Sequence, residues 1–136
     1  MHSELIEVIK NENKALEHLL SLLKKQCEYV MKKDVFSLEE IVEEIKICNK
    51  SIAQKEVERR KIIGSNSMNV LVNESDNKEL KDEFGNIKKI IREVQYQKET
   101  NDMLLKQEIG FNTQILNIIN PRRETKTYTS MGNLTR

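Results

Sequence analysis

The chain has 136 residues, with 23 Lys and Arg against 22 Asp and Glu, so its formal net charge is +1 and both signs are spread along its length. That size allows one domain with one core, and the mixed charge lacks the basic stripe with interleaved aromatics that marks a nucleic-acid binder. Aromatic residues are 4% of the total, Trp is absent and the single Pro is Pro121, which removes the usual punctuation of a sheet protein and makes an all-α fold the default.

Leu5, Ile9, Leu16, Leu19, Leu23 and Val30 fall on an alternating four-and-three spacing with Glu12 and Gln26 as its polar members. This is a coiled-coil seam and predicts a first helix from about Ser3 to Lys33. Val8, Ala15, Leu20, Leu22 and Cys27 widen the seam, so the helix should meet more than one neighbour.

The stretch Ser37-Leu38-Glu39-Glu40 reads as a capping box and starts a second helix over residues 37–63. Its seam is Leu38, Ile41, Ile45, Cys48, Ile52 and Ile62, broken by Lys55 and Arg59, and Gly64 is placed to end it in the left-handed conformation. The short turn from Asp34 to Ser37 makes the first two helices antiparallel neighbours. In that register Glu12 lies opposite Arg59, an ion pair expected at the seam edge. Cys27 and Cys48 are offset by about 7 Å along the axis, so no disulfide is expected between them.

Residues Ser65 to Asn77 lack sustained periodicity and predict a loop, whose apolar island of Met68, Val70, Leu71 and Val72 folds back onto the bundle. A third helix over residues 76–119 carries Leu80, Phe84, Ile87, Ile91 and Val94 on one seam and ends at Pro121. It is the longest, about 40 residues and roughly 60 Å against 40 to 45 Å for its partners, so part of it should overhang. In its second half Lys98, Asn101, Glu108 and Asn112 take core-phase positions while Leu104, Phe111, Leu116 and Ile118 drift to another face, a candidate binding surface. The expected architecture is three long helices in an antiparallel coiled-coil-like bundle over residues 1–120, with a flexible polar tail over 121–136.

Catalysis has no foothold in this pattern. His2 and His18 have no matched nucleophile, no glycine-rich phosphate loop occurs, and the pairs Glu39-Glu40 and Glu43-Glu44 read as solvated helix face. The expectation is a binding protein, not an enzyme, with no cofactor and no metal. Apolar stretches fall far short of the roughly 20 residues that cross a bilayer, and the N-terminus lacks a basic start followed by an apolar run. No integral membrane segment is expected, and the expected location is cytoplasmic.

The C-terminal third then presents Asn101-Asp102-Met103-Leu104-Leu105, followed by Ile109, Asn112, Leu116 and Pro121, and by Tyr128 and Gly132. With weaker support from Glu56 and Arg59-Arg60, this arrangement resembles the FlgN family of flagellar export chaperones. Lys98 stands where members often place a first Asn, and Thr129 follows Tyr128 where Gly is common. The resemblance implies a cytosolic chaperone, acting by stoichiometric binding, for the flagellar hook-associated proteins that join hook to filament. It would keep their assembly-prone terminal segments unpolymerised and deliver them to the type III flagellar export apparatus. Carried over onto this chain, it implies client binding by Asn101, Leu104, Leu105, Ile109, Asn112 and Leu116. The same leucines can also be read as core, Leu105 equally well because it keeps the seam phase and Leu104 less readily. It further implies that Tyr128 docks on the cytoplasmic domain of the export gate, where the residues alone equally allow a Tyr that caps the bundle. The free form is expected to be a monomer or weak homo-oligomer. The rivals from other classes are a self-associating structural coiled-coil protein and a regulatory helical adaptor.

Overall fold

A computed structural model of the chain describes residues 2–109. Four α-helices follow one another, α1 (His2–Lys32), α2 (Val35–Ile63), α3 (Met68–Glu74) and α4 (Lys78–Leu104), and a π-helical segment, Leu105–Ile109, continues α4. The fold is all-α, with no strand among the described residues. It differs from the expected three helices by the short α3. Within the described residues α1, at 31 residues, is longer than α4 at 27, and the expected continuation to residue 119 lies outside them.

The seam of α1 is buried as its spacing requires: Leu5, Ile9, Leu16, Leu19, Leu23 and Val30 all belong to the interior, with Leu20 and Leu22 widening the stripe. A stripe that wide serves two neighbours. Accordingly α1 packs along its length against both α2 and α4, which meet each other far more sparingly. Glu12 meets Arg59 and Ala15 meets Cys48, so residue numbers fall along α2 as they rise along α1. Lys10 meets Glu79 and Leu23 meets Asn101, so they rise together along α4.

The connection between α1 and α2 is two residues long and carries two motifs. Lys33 takes a positive φ of 57°, its N–H donates to Val30 O (3.0 Å), and the Asp34 N–H donates to Tyr29 O (2.9 Å). These are the paired bonds of a Schellman ending, here with Lys in the left-handed position usually given to Gly. Asp34 then caps α2 at once: its carboxylate accepts the Ser37 N–H (3.2 Å) and the Ser37 hydroxyl (2.7 Å). The capping box expected to begin at Ser37 is therefore displaced. Asp34 is the cap, Ser37 is the third helical residue, and α2 begins at Val35 because the nearer carboxylate takes the orphan amide first.

At the far end, the Gly64 N–H donates to Arg60 O at 2.9 Å. Its φ of 64° is positive as expected, but its ψ of −129° lies outside the left-handed helical region. Only glycine adopts that conformation without strain.

The segment expected as a loop contains α3, whose Val72 is buried and whose Met68 and Leu71 pack on the cluster of Leu5, Ile9, Ile63, Leu80 and Ile87. Its fold-back onto the bundle is as expected; its helicity is not. Ser75 Oγ accepts the Asn77 N–H (3.0 Å), and Asn77 Oδ1 accepts the Leu80 N–H (3.1 Å), which starts α4 at Lys78 rather than at residue 76. Helix α4 runs unbroken through Gly85. Its buried stripe leans one residue from the predicted seam: Ile90 is buried while Ile91 is 38% exposed. The lean reflects the packing of α4 chiefly on α1 rather than into a symmetric three-helix core.

Candidate functional site

Both polar interruptions of the α1 seam meet polar partners. Arg59 Nε donates to Glu12 Oε1 at 2.9 Å, with the Glu12 side chain 4% exposed and that of Arg59 19% exposed. The pair expected at the seam edge thus lies inside it. Farther along α1, toward the α1–α2 turn, Gln26 meets Asn101. The Asn101 amide donates to Gln26 Oε1 (2.9 Å) and to Leu23 O (2.8 Å), and its own oxygen accepts from Gln97 Nε2 (3.0 Å). A helical carbonyl has a second lone pair to offer, so the bond to Leu23 O costs α1 nothing in its own ladder. Asn101 is 1% exposed and every polar atom of its side chain is engaged inside the protein.

Above this network Val30, Leu38 and Leu105 form a small buried cluster, with Tyr29 and Leu104 half-buried against it. Here α4 gives way to the π segment, and the Leu105 N–H is shared between the carbonyls of Asn101 and Asp102. A π segment accommodates one residue more than an α turn and so shifts the phase of the residues beyond it by about 100°. Met31, Val35, Phe36 and Met103 remain exposed at this end, Phe36 to 83%.

Of the residues expected to bind a client, the structure brings Asn101, Leu104 and Leu105 together at this end. Asn101 and Leu105 sit in the interior, and Leu104 is half-buried at its edge. Ile109 ends the π segment. Asn112, Leu116 and Tyr128 lie outside the described residues. Sequence reasoning missed Phe36, Val35 and Met31. They fell in or beside the predicted turn, and the available signal was a Phe two positions before the first seam leucine of α2.

Electrostatics elsewhere is modest. Lys10 and Glu79 pair at 2.6 Å, and that hydrogen bond holds the Lys10 ammonium above its usual pKa. Burial raises the Cys48 thiol, which donates to Ala15 O at 3.4 Å, and both cysteines are free thiols. A shallow open cleft between α1 and α4 is lined by Leu20, Lys24, Arg92, Glu93, Tyr96 and Gln97. Among the described residues no three His, Cys, Asp or Glu side chains are grouped to hold a metal, and no helix is long and apolar enough to cross a membrane.

A long central helix flanked by two others, with buried polar pairs between them and an apolar end, defines an all-α helical bundle. The family described as FlgN protein matches residues 1–136, the whole chain. The chain belongs to the FlgN family, that of the flagellar export chaperones. No curated protein and no solved structure is significantly similar to it.

Proposed function

We propose that this protein is a cytoplasmic export chaperone that binds the assembly-prone terminal segments of flagellar hook-associated proteins and delivers them to the type III export apparatus. The match to the FlgN family over the full length carries the reading. The bundle of α1, α2 and α4, with α2 antiparallel to α1, α4 parallel to it and α3 in the second connection, is the scaffold, and the end where α4 passes into the π segment is the client site. A segment that becomes helical only on assembly exposes an apolar stripe until then, and an apolar groove beside an extended helix covers it. Leu104 at the edge of the buried cluster, with Ile109, Asn112 and Leu116 beyond it, supplies the client contacts. Asn101 and Leu105 act from beneath, holding the base of that surface through the bonds to Leu23 and Gln26 and through the Val30–Leu38 cluster.

Tyr128 is the docking residue for the cytoplasmic domain of the export gate, since a lone aromatic brings large apolar area at low side-chain entropy cost. Client binding and gate docking are then separable. In calorimetric titrations, Tyr128→Ala leaves the complex with a hook-associated protein intact and weakens its binding to the isolated gate domain. Equal gate affinities for wild type and variant refute the assignment, and loss of the client by the variant assigns the tail to the client site.

A further inference from the structure

The cleft between α1 and α4 is one end of a longer groove. Leu20 and Lys24 of α1 line it together with Arg92 and Tyr96 of α4. On α1, Leu20, Lys24, Cys27 and Met31 follow one another at spacings of four, three and four, which keeps them on one line of the helix. On α4, Arg92, Tyr96 and Met103 are spaced by four and seven and do the same. The two helices run parallel, and Val30 shares a cluster with Leu104 and Leu105, so Met31 and Met103 stand at one level of the bundle. The two lines therefore stay side by side from Leu20 to Met31, a length of about 16 Å.

Along this groove large apolar side chains stand open: Tyr96 is 72% exposed, Met31 55% and Met103 53%, while Leu20, at 9%, forms the floor. Held in water on facing lines, they carry a hydration cost that an apolar cover removes. Methionine adapts its shape to such a cover, and Tyr offers a broad ring with a polar tip. The charge at the cleft suits an acidic group, because its lining has two cations, Lys24 and Arg92, against one carboxylate, Glu93. Neither cation takes part in an ion pair among the described residues. An amphipathic helix laid in a groove presents apolar anchors at i, i+3 or i+4 and i+7, a reach of about 11 Å that fits within this one.

We propose that the groove between α1 and α4, from Leu20 and Tyr96 to Met31 and Met103, seats an amphipathic helix of a partner protein that carries an acidic residue at the level of Lys24 and Arg92. The groove and its charge stand on the geometry above; that the helix belongs to the terminal segment of a hook-associated protein rests on the function already proposed.

Fluorescence anisotropy with two labelled peptides tests it on the full-length wild type, on Tyr96→Ser, on Lys24→Glu/Arg92→Glu and on the control Ile47→Ser, whose site is exposed on α2. One peptide is the terminal segment of a hook-associated protein; the other is a designed Ala-rich helix with Leu at i, i+4 and i+7 and a Glu beside the first Leu. All four changes fall on exposed side chains, and circular dichroism checks that each variant keeps the wild-type helicity. Wild type and control bind equally, and Tyr96→Ser binds about tenfold more weakly. The charge-reversed variant also binds about tenfold more weakly at low salt and approaches wild type in about 1 M salt, where charges are screened beyond about 3 Å. Equal binding of both peptides by wild type and Tyr96→Ser overturns the proposal, as does binding of neither peptide by wild type. Binding that depends on Tyr96 but not on the two cations overturns the acidic partner. A dimer in sedimentation that Tyr96→Ser dissolves also overturns it, because a second copy is then the occupant. A client segment that binds wild type and Tyr96→Ser equally but not Leu104→Glu removes the groove and leaves the proposed function standing. Tyr96-dependent binding of the designed helix alone keeps the groove and refutes the client reading.

Discussion

At the scale of residues, two buried polar pairs set how the helices align. A buried ion pair adds little net stability because desolvation consumes most of the Coulombic gain, but removing one partner strands the other. Glu12 is the more buried of its pair, so Arg59→Met should destabilise the protein by about 1–3 kcal/mol in urea unfolding. The double variant Glu12→Leu/Arg59→Met should recover most of that loss. Loss of stability in the double variant equal to the sum of the singles would show that the two side chains act independently. Asn101 obeys the same logic. Asn101→Leu keeps the volume but leaves the Gln26 carbonyl unpaired in the interior, and is expected to cost about 1–3 kcal/mol, with Gln26→Leu/Asn101→Leu close to wild type. Chemical denaturation of each variant beside wild type reads both pairs.

The two pairs were not equally legible. Glu12 and Arg59 could be matched from the sequence because a short turn fixes the register of the helices on either side of it. Gln26 and Asn101 were each visible as polar residues in a core phase, yet the connection between α2 and α4 is too long and irregular to fix which layer of α4 lies against which layer of α1.

At the scale of elements, the α1–α2 turn depends on Asp34. Its carboxyl is held below the usual carboxylate pKa, first by the Ser37 hydroxyl and then by the Ser37 amide. A folded-state pKa below the unfolded one contributes stability that is present in full above the unfolded value, 3.8 for a free Asp, and is lost as pH falls through the lowered folded value. The melting temperature of wild type should therefore fall more steeply below that pH than that of Asp34→Asn, which keeps an acceptor but no titration. Parallel pH dependences for the two proteins would remove Asp34 from the acid response. Sequence reading placed the start of α2 a few residues late, because Ser37 and Glu40 satisfy the capping-box pattern and Asp34 satisfies a simpler one earlier. It missed the helicity of α3 because seven residues make two turns, too few for a period to declare itself. Nothing in the residues from Leu105 to Ile109 announced the π segment; the visible signal was the drift of apolar positions away from the seam in that region.

At the scale of the whole molecule, the all-α fold was legible because composition excluded sheets and the four-and-three spacing of α1 is sustained over most of its 31 residues. The breadth of that stripe also announced two neighbours. The arrangement in which α1 alone contacts both others closely was not legible, since seams report which faces are buried and not against what. The candidate site was legible in part. The motif from Asn101 to Leu105 pointed to this end of the bundle, but spacing alone could not separate the buried Asn101 and Leu105 from the half-buried Leu104, nor find the open Phe36 across the turn.

For the proposed client site at this end of the bundle, Leu104 at its edge is the residue to change. Calorimetric titration of the wild-type chain and of Leu104→Glu with the terminal segment of a hook-associated protein, with circular dichroism on both, is the most direct measurement. One-to-one binding to wild type, absent in a Leu104→Glu protein that retains its helicity and nearly its melting temperature, is the predicted result; equal binding by both proteins, or loss of fold in the variant, would contradict it.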